Sequence, residues 1–128
     1  FSAYDKDGKL IFSYRYLGES VTFRGKNIPI VNCLIITADY EEEKRKLVIL
    51  KESENIRSLL IYDDKADCVA EIMSPHGYTF VSLKNNAGNI LVVARGTDDI
   101  TKDPFGRNDW NFVIDFDNFY VQKKSITQ

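Results

Sequence analysis

The chain contains a single histidine, His76, in the turn-like string Ser74-Pro75-His76-Gly77. Nucleophilic catalysis of the Cys/His kind would have to use it, with Cys68 eight residues upstream and Asp64 or Asp67 to orient the ring. A histidine in such a string more often serves turn chemistry, and none of its partners stands at metal-ligand spacing. The string Asp5-Lys6-Asp7-Gly8 resembles the start of a calcium loop, but no third ligand precedes the glycine and no closing glutamate follows. A turn is the expectation there, with Asp5 bonded to nearby amides and Gly8 at positive φ.

Asp115 and Asp117 are two apart, so on one strand their side chains would share a face roughly 7 Å apart. That separation suits paired-carboxylate chemistry, yet nothing in the sequence marks either acid as buried with a raised pKa. Neither a G-x-x-x-x-G-K-[ST] loop nor a G-x-G-x-x-G loop is present, so the common nucleotide cradles are missing. Phe12, Tyr14, Arg15 and Tyr16 invite a base-stacking reading. The chain's 17 basic and 19 acidic residues, net charge −2, argue against nucleic acid and against an anionic membrane.

The remaining signal is acidic. Residues 97–118 hold Asp98, Asp99, Asp103, Asp109, Asp115 and Asp117 against only Lys102 and Arg107, beside Phe105 and Trp110. Carboxylates steer a basic partner and aromatics anchor it. These eight residues, the six acids with Phe105 and Trp110, are the candidate partner-binding set. No catalytic, metal or cofactor residues are proposed.

These residues must be carried by strands. With 44% apolar and 28% charged residues over 128 positions, the chain has the composition of one ordinary globular domain. No apolar run approaches the roughly 20 residues of a membrane span, and no secretory signal pattern opens the chain. Cys33 and Cys68 make no disulfide framework, so two buried thiols in a reducing, cytoplasmic setting are expected.

Residues 78–97 show two strand-like runs about a five-residue turn, 85–89. Ile90 to Ala94 is apolar at every position, which predicts a strand covered on both faces and places this hairpin at the centre of the fold. Residues 10–16 alternate with Leu10, Phe12, Tyr14 and Tyr16 on a core face. A short strand is expected at 21–23. Residues 28–38 read as a second long strand whose start, at Pro29, is at an edge or irregular.

Residues 31–51 read as a hairpin with a solvated EEEKRK tip, and 57–62 as a strand in preference to a helix. Ala66, Val69, Ala70 and Met73 fall at helical spacing and predict one short helix over 65–73. Residues 97–108 form a long loop, 109–117 alternate strictly, 119–123 make a last strand, and 124–128 fray. The expected fold is mainly β (α+β): one domain over 1–128, with seven to nine strands in a curved antiparallel sheet or partly open barrel and one short helix.

The expected function is non-enzymatic protein binding, in the manner of an inhibitor or toxin-neutralising immunity protein that occludes a basic partner. The alternative is a small-ligand-binding or hydrolytic barrel with a pocket lined by Tyr14, Tyr16, Tyr78 and Trp110. A third reading is an assembly subunit that pairs through an exposed edge strand.

Overall fold

The computed structural model describes residues 1–127. Among the described residues, twelve strands form three antiparallel sheets, each a four-stranded meander. The first sheet holds β1 (Ser2–Tyr4), β2 (Leu10–Tyr14), β3 (Ser20–Phe23) and β4 (Lys26–Pro29). The second holds β5 (Leu34–Glu41), β6 (Lys46–Ser53), β7 (Ile56–Tyr62) and β8 (Cys68–Met73). The third holds β9 (Tyr78–Asn86), β10 (Asn89–Gly96), β11 (Asp109–Asp115) and β12 (Tyr120–Ile126). The sheets stack face to face and do not close into a barrel.

Two cores result. Phe12, Tyr14, Val21, Phe23 and Ile28 of the first sheet pack on Ile35, Tyr40, Leu47 and Ile49 of the second. Val48, Leu50, Leu59 and Ile61 of the second pack on Phe80, Ile90, Val92, Ala94 and Phe112 of the third. Period-2 alternation in β6 sends Leu47 and Ile49 one way and Val48 and Leu50 the other, and all four are fully buried. The doubly covered strand at the centre is therefore β6. The hairpin of residues 78–97 lies in the outer third sheet, with β9 at an edge. β5 lies against β2 on one side and against β9 and β10 on the other.

One extra residue in a strand repeats at matching places. Ile11 in β2, Ile36 in β5 and Val81 in β9 are bulged out of register between the first two strands of their sheets. Val69 in β8 and Lys124 in β12 do the same in the fourth strands of the second and third. A bulge turns two successive side chains toward one face. That is how Ile11 and Phe12 both enter the first core.

The expected helix over 65–73 is β8. The Asp63 carboxylate accepts hydrogen bonds from the amides of Lys65 and Asp67, and Ala66 sits at φ 65°, which no α-helix tolerates. Pairing with β7 then buries Ile72, which the helical stripe had left out. The only helical turn among the described residues is a 3₁₀ turn, Asp99–Thr101. The hairpin turn is shorter than expected, because Ala87 and Gly88 alone, at φ 54° and 90°, make it.

The long strand over 28–38 is broken at Asn32, whose φ is 56°, into edge strand β4, ending at Pro29, and β5. Tyr16 lies beyond β2 and is exposed, not on the core face. β1 is a strand the alternation did not reveal. Of the tail expected to fray, residues 124–126 belong to β12, and Gln128 lies outside the described residues. Cys33 is half-buried and Cys68 exposed, so neither is the buried thiol expected; the two are not paired with each other.

The EEEKRK tip is solvated only from Glu42 onward. Glu41 is 3% exposed. Its Oε1 accepts the Ile90 amide at 2.8 Å. Asn89, with its amide nitrogen toward the carboxylates, donates to Glu41 and Glu43 at 3.0 Å. The Glu42 amide donates to the Gly88 carbonyl at 3.1 Å. The end of β5 thus clamps the β9–β10 turn and joins the second sheet to the third.

Candidate protein-binding surface

The long loop between β10 and β11, residues 97–108, is braced by its own side chains. Asp98 caps the 3₁₀ turn, accepting the Ile100 amide at 2.9 Å. Asp103 makes the same Asx turn as Asp5 and Asp63: one carboxylate oxygen accepts the amides of Phe105 and Arg107 at 3.0 and 2.8 Å. Gly106, at φ 81°, supplies the left-handed step between them. Thr101 donates through its hydroxyl to Asn108 Oδ1, and Asn108 Nδ2 donates to the carbonyls of Gly96 and Asp98 at 3.1 Å. The Trp110 indole N–H reaches the Thr101 carbonyl at 3.1 Å. A twelve-residue connection is thereby held in one shape.

Its acids are largely committed. Asp99 pairs with Lys102 at 2.8 Å, Asp103 with Arg107 at 2.6 Å, and Asp109 with Arg95 at 2.8 Å. The Lys102 ammonium holds the Asp99 carboxyl below its ordinary range, and Arg95 does the same for Asp109. Desolvation pushes Asp103 up, but the Arg107 amide and guanidinium and the Phe105 amide outweigh it and the carboxyl is lowered. At Asp115 the amides of Asn118 and Asp117 lower the pKa. All four stay ionised well below neutral pH.

Two large apolar side chains on this braced loop have no cover. Ile100 is 92% exposed and Phe105 83% exposed. Phe105 carries the Arg107 guanidinium 5.4 Å from its ring centre. The structure thus gathers Asp98, Asp99, Asp103, Phe105, Asp109 and Trp110 at one end of the third sheet. It does not bring Asp115 and Asp117 there, because the length of β11 sets them roughly 20 Å away. Trp110 is half-buried and serves as a brace: Lys123 Nζ lies 3.7 Å from its ring centre and its N–H is spent on the loop. Ile100 was missed in the sequence. Its signal was a lone isoleucine among polar residues in a long loop.

The other sequence candidates do not assemble. His76 is exposed in the β8–β9 turn, and β8 runs between it and Cys68, roughly 17 Å in length. Asp64 is bound elsewhere, accepting the Tyr40 hydroxyl at 2.7 Å and Arg45 at 2.6 Å. Tyr14 lies in the first sheet, Tyr16 is exposed, and Tyr78 and Trp110 enclose Lys123, so these four line no common pocket. Among the described residues, no group of three or more His, Cys, Asp or Glu side chains could hold a metal ion, and no helix is long and apolar enough to cross a membrane. No protein-family model matches the chain, and no curated protein or solved structure is significantly similar to it.

Proposed function

We propose that the chain is a protein-binding domain whose contact surface is the tip of the β10–β11 loop, with Phe105 and Ile100 as its anchors. The observation that carries this reading is the exposure of both side chains on a loop already fixed by Asp98, Asp103, Thr101, Asn108 and Trp110. Apolar side chains on a rigid support lose little conformational freedom on binding, which is what makes an anchor effective. Asp99, 90% exposed at its side chain, and the net acidity of the loop favour a basic partner. An inhibitor or toxin-neutralising protein that occludes such a partner fits this profile.

The test is parallel capture from the source organism's lysate by the native chain and by an Ile100→Ser/Phe105→Ser variant, at low and moderate salt. One stoichiometric partner that the native chain holds and the variant loses supports the reading. Equal capture by both would overturn the assignment of the surface.

A further inference from the structure

In a stack of antiparallel meanders every connection lies at one end or the other, and here the two ends differ in chemistry. One end carries residues 15–19, 30–33, 54–55, 74–77 and 97–108. Backbone bonds tie these connections together across the sheets. The Leu17 amide donates to the Ile35 carbonyl and the Ile30 amide to the Glu19 carbonyl, each at 2.7 Å, and the Thr97 amide donates to the Gly77 carbonyl at 2.9 Å. The far end carries the charged strings DKDGK (5–9), EEKR (42–45) and DDKAD (63–67). Its connections are tied too: Lys26 Nζ donates to the Lys65 carbonyl at 3.0 Å, and the Glu42 amide to the Gly88 carbonyl at 3.1 Å.

The large apolar side chains without cover gather at the first end. Tyr16 and Leu17 are exposed between β2 and β3, Val31 between β4 and β5, and Ile56 and Met73 where β7 begins and β8 ends. With Ile100 and Phe105 they span all three sheets. Leu17 sits at φ 59°, a region leucine seldom adopts, so its turn holds an apolar side chain out of the core. At the far end the uncovered rings, Tyr4 and Tyr120, carry hydroxyls, and Val69 and Val113 lie within strands. Apolar side chains clustered on one surface and rimmed by polar ones mark a contact site.

We propose that this whole end of the stack, and not the β10–β11 loop alone, is one docking face, and that its occupant is a folded protein with an apolar centre and a basic rim. The proposal rests on the protein-binding reading above and widens it. Three sheets about 10 Å apart, each of four strands about 4.8 Å apart, present an end of roughly 30 Å by 19 Å, about 570 Å² when flat. The relief of the loops enlarges this toward the ~800 Å² per partner of a standard protein interface, more than a short peptide covers. The charges in these connections favour the basic rim. Asp99 pairs with Lys102 and Asp103 with Arg107, which leaves Glu19, Glu54 and Asp98 against Arg15. Val31 and Ile56 belong to the second sheet, in the middle of the stack, and supply the apolar centre.

Site-specific photocrosslinking on the full chain tests this. A benzophenone-bearing amino acid replaces Val31, Ile56, Phe105 or, at the far end, Lys44, one at a time; all four positions are exposed, and circular dichroism checks the fold of each variant. Each is irradiated in lysate of the source organism. The same single protein should be crosslinked from Val31, Ile56 and Phe105, with a yield at least tenfold above that from Lys44. Crosslinking from Phe105 alone would overturn the wider face and leave the loop-tip reading standing. Crosslinking from Val31 and Ile56 without Phe105 would overturn the loop-tip reading and the single face with it. Equal yield from Lys44, no product from any position, or a product of twice the chain's own mass, which would make the occupant a second copy, also overturns the proposal.

Discussion

Glu41 is the most informative single position for the packing of the second sheet on the third. Its side chain is buried at the end of β5 and satisfies the Ile90 amide, at 2.8 Å, and Asn89. Glu41→Ala leaves the Ile90 N–H inside the protein with no acceptor. An unsatisfied buried donor costs about 1–3 kcal/mol, and a charged acceptor puts this bond at the upper part of that range. The expected loss is about 2–3 kcal/mol, or a fall in melting temperature of about 10 °C for a domain of this size.

Glu41→Gln keeps an oxygen for Ile90, and Asn89 can turn its amide to match, so it should cost less than about 1 kcal/mol. Urea unfolding of the three proteins supplies the comparison, with amide exchange at Ile90 as a local readout. If alanine were tolerated as well as glutamine, the clamp would not be what joins these sheets. If glutamine were as damaging as alanine, the negative charge rather than the acceptor would carry the effect.

Further outcomes follow from other sites. Asp64 is lowered in pKa because the Tyr40 hydroxyl and the guanidinium groups of Arg45 and Arg24 outweigh its desolvation. Its contribution to stability is therefore present above the ordinary carboxylate range and lost as pH falls through the lowered value. The stability gap between native protein and Asp64→Asn should be largest near neutral pH and shrink on acidification, as read from urea midpoints. Tyr62 is pushed up to about 12, by burial first and then by the neighbouring Cys68 and Glu71. The fold holds it neutral, so that part of the stability is present below pH 10 and disappears as pH rises toward 12; tyrosinate absorbance should show one hydroxyl ionising last, together with unfolding. A Cβ at Gly96 would collide with Thr101 Oγ1 and Asn108 Oδ1. Gly96→Ala should cost about 1–3 kcal/mol and shift the emission of Trp110, the one tryptophan, as its loop partners move. Asp99→Asn, which leaves the turn-forming acids untouched, should slow association with a basic partner and flatten its salt dependence, by stopped-flow measurement.

Strand content was legible wherever one face was buried and the other was not. Residues 109–117 alternate because β11 shows the core only Trp110, Phe112 and Ile114, and the sequence displayed this directly. The division into three sheets was not legible. What separates them is backbone conformation at single residues, such as Asn32 at positive φ, and polar contacts between residues far apart, such as Glu41 with Ile90. The helix over 65–73 failed because a run with Ala66, Val69, Ala70 and Met73 fits both periods once a bulge at Val69 is allowed.

The acidic segment was found, but the work its acids do was not. Asp98, Asp103 and Asp115 each accept backbone amides, a use that net charge cannot distinguish from a free binding face. Ile100 stood out only when its exposure was known.

The most direct test of the loop-tip assignment is amide hydrogen exchange on the captured partner complex against the free chain. Slowed exchange at the tip around Ile100 and Phe105, with the β11–β12 turn at Asp117 unchanged, is the predicted footprint. Protection elsewhere with an unprotected tip would contradict it.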